Sequence, residues 1–159
     1  MELLIYIAIL SGLMIVVSNM FISLSKGNGQ SNAKSEVDSS IRFVSELLRQ
    51  DLKNASSVLA PSIGVPSSTL VLTRGGVTIT YDVSSGILRR KEGTASPLNI
   101  TNSNVTVSSP TFTRIENTNL DFSSTSVAIK LNIVFNYNSP NPDWTYSSSL
   151  QTSVNLYPQ

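Results

Sequence analysis

Cysteine and histidine are both absent from this chain of 159 residues. Their absence excludes disulfides, thiolate nucleophiles, histidine general bases and zinc sites of the usual kind. Charged residues are also scarce, at 13% of the chain, and they almost cancel, which leaves a net charge of +1. This balance gives no electrostatic case for nucleic acid, and the acidic residues are scattered singly rather than paired for catalysis. We therefore expect a protein that is not an enzyme and that uses no cofactor, metal or nucleic acid.

What the chain does contain is a long apolar run at its N-terminus. Residues 3–25 carry no charge, and a single carboxylate, Glu2, lies at their N-terminal end. A helix needs about 20 apolar residues to cross a bilayer, so this run is long enough. It is longer than the apolar part of a secretory signal, no basic segment precedes it, and no small-residue cleavage site follows it. We expect a retained membrane helix over residues 1–25, with a cleaved signal as the alternative.

The next segment, residues 26–60, predicts an amphipathic helix. Apolar residues recur there at intervals of three and four, which places them on one face, and charged residues fall on the other side. Because the residue before a proline is disfavoured in a helix, we expect this helix to end at Pro61. The apolar face is predicted to pack against a sheet through Val37, Ile41, Val44, Leu48, Leu52 and Ala55.

Two glycines, Gly27 and Gly29, lie between the two helical segments. Together they cost about 2 kcal/mol relative to alanine in a helix interior. Two interpretations stay open. One is a single continuous helix, straight or bent, on the order of 85–90 Å long if it runs to residue 60. The other is a break at residues 27–29, with Ser31 or Ser35 capping a second helix.

From residue 61 to residue 159 the pattern changes to the period of two that is typical of β-strands. Turn residues, such as the pair Gly75-Gly76, separate the apolar-alternating segments. Strands are expected over residues 69–73, 77–81, 87–91, 104–108, 111–116, 127–137 and 145–156. The sequence therefore predicts an α+β fold, in which an antiparallel sheet covers the apolar face of the preceding helix.

Two groups in this region are candidates for a binding surface. The one basic cluster, Arg89-Arg90-Lys91, is expected on a solvated hairpin edge rather than in a binding patch, because alternate residues of a strand point to opposite faces. Trp144 and Tyr146 follow a proline-rich loop. They are expected in core or rim packing rather than in a contact surface.

The N-terminal run Glu2-Leu3-Leu4-Ile5-Tyr6-Ile7-Ala8-Ile9-Leu10-Ser11-Gly12 resembles the start of mature type IV pilins and type II secretion pseudopilins. In that family a glutamate precedes an apolar helix. Residues 42–55, rich in leucine and arginine, resemble the helix end of minor pilin-like subunits. The likeness covers residues 1–60 in sequence and residues 61–159 only in architecture.

This resemblance implies a role for Glu2. In the family the glutamate meets the N-terminal amine of a neighbouring subunit in the filament core, and a buried carboxylate does need such a counter-charge. The alternative is a residue that lies at the level of the lipid head groups. No basic leader precedes Glu2, and Lys26 and Lys34 after the run would place the β-domain in the cytoplasm by the positive-inside rule. We therefore expect the true start, with its cleavage site, to lie upstream of Met1.

The resemblance implies a structural subunit, minor rather than major, of a type IV pilus, type II secretion or DNA-uptake filament. Such a subunit is held in the inner membrane by its N-terminal helix, with its C-terminal domain outside the cytoplasm. Its partners are other pilin or pseudopilin subunits, and a prepilin peptidase and the assembly machinery act on the full-length precursor. The alternative is a single-pass, membrane-anchored β module that binds or senses outside the cytoplasm and does not polymerise.

Overall fold

The computed structural model describes residues 2–119 and 124–156. One long helix is followed by two antiparallel sheets, which confirms the predicted α+β fold. In chain order the elements are α1 (Glu2–Lys53), β1 (Ser57–Ala60), β2 (Leu70–Arg74), β3 (Val77–Ser84), β4 (Ile87–Glu92), β5 (Leu98–Asn99), β6 (Val105–Asn119), β7 (Ser124–Tyr137) and β8 (Ser147–Leu156).

The helix α1 runs without a break through its two central glycines. It contains 52 residues, which corresponds to a length of about 78 Å at 1.5 Å per residue. Of the two interpretations left open by the sequence, the continuous helix is the one observed. Residues 2–25 project beyond the β-domain, and the rest of α1 lies along it.

The amphipathic helix predicted to reach residue 60 ends seven residues earlier, at Lys53. The backbone N–H of Ser56 donates to the carbonyl of Thr73 at 2.7 Å, and residues 57–60 then pair with β2 as strand β1. Serine and valine are weak helix formers, so the hydrogen bonds offered by β2 outweigh the local preference for helix. The prediction that Pro61 ends the helix was therefore wrong, because strand pairing ends it first.

The predicted single sheet is two sheets. The first has the order β1-β2-β3-β4-β5, and the second has the order β6-β7-β8. The sequence pattern missed the short strands β1 and β5. The segments predicted as separate strands over 104–108 and 111–116 are one strand, β6, whose register shifts between Ser108 and Thr111. Ser109 has a φ of 49°, and Pro110 has no N–H to donate, so the chain bulges there and continues.

The apolar stripe of α1 faces the core, where it packs mainly on β7 and β8. Five of its six predicted members are fully or almost fully buried: Val37, Val44, Leu48, Leu52 and Ala55. Ile41 is half-buried and packs against the same core. Ala55 lies just beyond the end of α1 and still contributes to the core. Burial of each large apolar side chain contributes about 1.5–3 kcal/mol, so this stripe holds the β-domain on the helix.

Candidate functional site

The N-terminal part of α1 is an uncovered apolar surface. All of residues 2–25 are exposed, and Leu3, Phe21 and Leu24 expose 71%, 73% and 57% of their surface. Within the described residues this helix is long and apolar enough to cross a membrane, with a mean hydropathy of 2.2 over its best window, none of it buried. An apolar surface of this extent requires a lipid or protein environment.

Glu2 is the first residue of α1, and its side chain is exposed. A carboxylate in the first turn of a helix interacts favourably with the positive end of the helix dipole, by about 0.3–1 kcal/mol. This position leaves the carboxylate accessible to a second molecule. It lies at the opposite end of α1 from the packed stripe, so the two groups of predicted site residues form separate surfaces.

The β-domain first meets α1 directly after the apolar run. Lys26 Nζ lies 3.1 Å from Asp143 Oδ2, and both side chains are about half exposed. One turn further on, the indole of Trp144 lies against the backbone of Gly29, which is itself buried. A Cβ atom built on Gly29 would collide with the Trp144 ring. Gly29 is therefore required for a close approach, which is a different reason for glycine from the helix break that the sequence allowed.

This contact predicts different effects for two glycine substitutions on the same helix. Gly27→Ala meets no atom within 4 Å, so it should raise the free energy of unfolding by about 0.5–1 kcal/mol through helix propensity. Gly29→Ala should lose that gain, because the new methyl group displaces the Trp144 indole. The measurement is urea unfolding together with the emission spectrum of Trp144, the single tryptophan of the chain.

A red shift of Trp144 emission is expected for Gly29→Ala and not for Gly27→Ala. Equal stability gains with unchanged emission in both variants would contradict the contact between Trp144 and Gly29.

Further polar contacts join the β-domain to α1 beyond Gly29, towards the C-terminal end of the helix. The carboxylate of Glu36 accepts hydrogen bonds from Asn102 Nδ2 at 3.0 Å and from Asn104 Nδ2 at 3.3 Å. The hydroxyl of Tyr146 lies 3.5 Å from Asp38 Oδ1, and the partly buried Tyr146 side chain packs against the core. The loop after β7 and the segment before β6 are thus both tied to the same stretch of helix.

The last turn of α1 carries a buried carboxylate, Asp51, which is 1% exposed. Its Oδ1 accepts from Arg74 Nη1 at 2.8 Å. Its Oδ2 accepts from Arg90 Nε at 2.7 Å and from the Tyr81 hydroxyl at 2.5 Å. Glu92 completes the group by accepting from both arginines, at 3.1 and 2.8 Å. Two carboxylates and two guanidinium groups leave this cluster with no net charge.

The electrostatics favour the hydrogen-bonding state of three members of this cluster, Tyr81, Arg90 and Glu92. Burial, with a hydrogen bond to Asp51, raises the pKa of the Tyr81 phenol, so the hydroxyl remains a donor. The hydrogen bond to Asp51 raises the pKa of Arg90. The hydrogen bond from Arg90 lowers the pKa of Glu92, which favours its charged form. The cluster therefore connects the C-terminal end of α1 to β2, β3 and β4 through charge-assisted hydrogen bonds.

The hairpin edge predicted for Arg89-Arg90-Lys91 is wrong for its first two residues, because β5 pairs with β4 at Arg89 and Arg90. Lys91 is exposed, and Arg89 pairs with Asp82 at 2.8 Å near the surface. Arg90 instead points to the opposite face of the strand, towards Asp51. An aspartate in the last turn of a helix, where it opposes the dipole, was the one sequence signal for such a partner.

Among residues 2–119 and 124–156, no group of three or more acidic side chains is placed to hold a metal ion. The structure thus brings together two features: an uncovered apolar helix with an accessible carboxylate, and a β-domain fixed along the remainder of that helix. Comparisons with protein-family models, curated proteins and solved structures return no match.

Proposed function

We propose that this chain is a structural subunit, pilin-like or pseudopilin-like, of a type IV pilus, type II secretion or DNA-uptake filament. Before assembly it is held in the inner membrane by the N-terminal part of α1. The observation that carries the proposal is the unbroken helix, of which residues 3–25 form an exposed apolar run while the stripe from Val37 to Leu52 is buried under a β-domain. The same helix offers one surface for lipid or other helices and another for its own domain.

Assembly transfers the apolar part of α1 from lipid into a bundle formed by the helices of neighbouring subunits. Lipid chains and apolar side chains are equally apolar, so this transfer depends on close packing more than on hydrophobicity. Gly12 has open space around it, which allows a neighbouring helix to approach the backbone. Ser11 donates its hydroxyl hydrogen to the carbonyl of Ile7 at 2.7 Å, so its polar atom is satisfied in either environment.

Glu2 supplies the specific contact in this mechanism. In a filament core its carboxylate leaves water and pairs with the N-terminal amine of a neighbouring subunit. A single buried ion pair of this kind fixes the register between helices more than it adds stability. In the membrane the need for a counter-charge is weaker, because a carboxylate at the end of the apolar run can remain among the lipid head groups.

The proposal predicts that Glu2→Ala separates assembly from membrane insertion. Expressed from its native gene, the variant should reach the inner membrane at the level of the unchanged chain, and most of its incorporation into sheared filaments should be lost. Glu46→Ala is the matched control, because Glu46 is also exposed on α1 but lies beside the β-domain. Quantitative immunoblots of the membrane and sheared fractions measure both pools.

Equal incorporation of Glu2→Ala and Glu46→Ala would refute the assigned role of Glu2. The absence of even the unchanged chain from the sheared fraction would instead favour an anchored β module that does not polymerise.

A further inference from the structure

A groove lies at the junction where the β-domain meets the apolar part of α1. It has a volume of about 450 Å³ and opens to the outside. One wall is made by the last apolar side chains of the helix run, and the opposite wall by two aromatic side chains of the β-domain. The residues that line the groove include Phe21, Leu24, Asn28, Asn32, Tyr137 and Trp144.

The position of this groove along α1 coincides with the edge of a bilayer. A hydrocarbon core of about 30 Å spans about 20 helical residues at 1.5 Å per residue. Counted from the start of the uncharged run at Leu3, the core ends close to Phe21 and Leu24. Lys26, the first charge after Glu2, then lies in the head-group layer together with Asp143.

The composition of the groove changes from apolar to polar at the same level. Phe21 and Leu24, two exposed side chains of the apolar run, form the lower end of the groove. The amides of Asn28 and Asn32 line the upper end. Tryptophan and tyrosine concentrate at membrane interfaces, because an apolar ring and a polar tip are both satisfied there. The two aromatic residues of the groove lie at this boundary.

From these observations we infer that the groove binds a phospholipid of the surrounding bilayer, taking its glycerol region and the upper part of an acyl chain. Tyr137 and Trp144 thereby seat the β-domain on the membrane surface in one orientation. This inference rests on the proposed function in one respect, that residues 2–25 lie in a membrane. The lipid-facing surface of the helix continues directly into the groove through Phe21 and Leu24, which favours a lipid over a second copy of the chain.

The aromatic wall is in direct contact with the helix. Trp144 lies directly on the backbone of Gly29, and the ion pair between Lys26 and Asp143 holds the same loop to α1. Tyr137 donates its backbone N–H to the carbonyl of Tyr146 at 2.8 Å, which closes the base of that loop. The aromatic wall is therefore fixed before any lipid binds, and extraction of the subunit into a filament must empty the groove.

Trp144 is the only tryptophan, so its fluorescence reports directly on the groove. The full chain is reconstituted in vesicles of phosphatidylcholine and phosphatidylglycerol that carry bromine either near the glycerol end or near the methyl end of the acyl chain. Lipid brominated near the glycerol end should quench the larger part of Trp144 emission, and lipid brominated near the methyl end should quench much less. Resistance to alkaline extraction establishes separately that the chain is inserted.

The matched control moves the tryptophan from the loop between β7 and β8 to the helix α1. Trp144→Phe combined with Phe43→Trp places the indole at an exposed position, fourteen residues beyond Gly29 and so about 20 Å further from the span. This variant should insert equally well and show little quenching by either lipid.

The outcomes distinguish the two proposals. If the chain is inserted but Trp144 is unquenched, or quenched no more than the tryptophan at position 43, the lipid site is overturned and the proposed function stands. If the chain is removed by alkaline extraction, membrane anchorage and the lipid site both fail. Trp144 could instead become shielded from water only as the protein-to-lipid ratio rises, with no quenching by brominated lipid. In that case the groove binds a second copy of the chain, and the lipid site is overturned.

Discussion

Asp51→Ala is expected to destabilise the fold far more than alanine substitution of an exposed charged residue. It removes the acceptor shared by Arg74, Arg90 and Tyr81. The Arg90 side chain, which is 14% exposed, then loses its buried counter-charge and keeps only the half-exposed Glu92. Removal of one partner from a buried ion pair costs about 3–5 kcal/mol. The measurement is the free energy of unfolding of the full chain in detergent, from urea titration followed by Trp144 fluorescence.

The matched control for this prediction is Asp82→Ala. Asp82 also pairs with an arginine, Arg89, through two hydrogen bonds of 2.9 and 2.8 Å. These side chains are 37% and 30% exposed, and such a surface pair contributes about 0–1 kcal/mol. Similar losses for Asp51→Ala and Asp82→Ala would show that the buried cluster does not connect α1 to the first sheet as described.

Leu48→Ala is the second substitution with a large expected effect. Leu48 is fully buried at the centre of the stripe that joins α1 to the β-domain. Truncation of a buried leucine costs about 2–5 kcal/mol, from lost apolar transfer and from the cavity left behind. The same urea titration measures the loss.

Leu47→Ala provides the comparison, because Leu47 is the adjacent residue of the same type and is only partly buried. Its loss should be clearly smaller than that of Leu48→Ala. An equal or greater loss would mean that the face of α1 that packs on the sheets has been wrongly assigned.

The features that depend on a regular spacing of apolar residues could be predicted from the sequence. The spacing of Val37, Val44 and Leu48 determines one face of a helix whatever that face packs against, and alternation identified most of the strands. The class of fold followed from these two periods together. The apolar run likewise identified a segment long enough to cross a membrane, because length and composition decide that property alone.

The features that depend on distant partners could not be predicted. Asp51 finds its partners 23 to 39 residues away in sequence, and only strand pairing brings them together. The helix ends at Lys53 because β2 offers hydrogen bonds to the following residues. Gly29 was interpreted as a point where the helix could break, since composition does not distinguish a flexible glycine from one that an indole covers.

We propose that one continuous helix serves first as a membrane anchor and then as the spine of a filament. The most direct test is the distribution of the unchanged chain, expressed from its native gene, between the inner membrane and sheared extracellular or periplasmic filaments, with and without the assembly machinery. We expect the chain in both fractions when the machinery is present and in the membrane alone when it is absent. A chain found only in the membrane under both conditions would contradict this role of the helix.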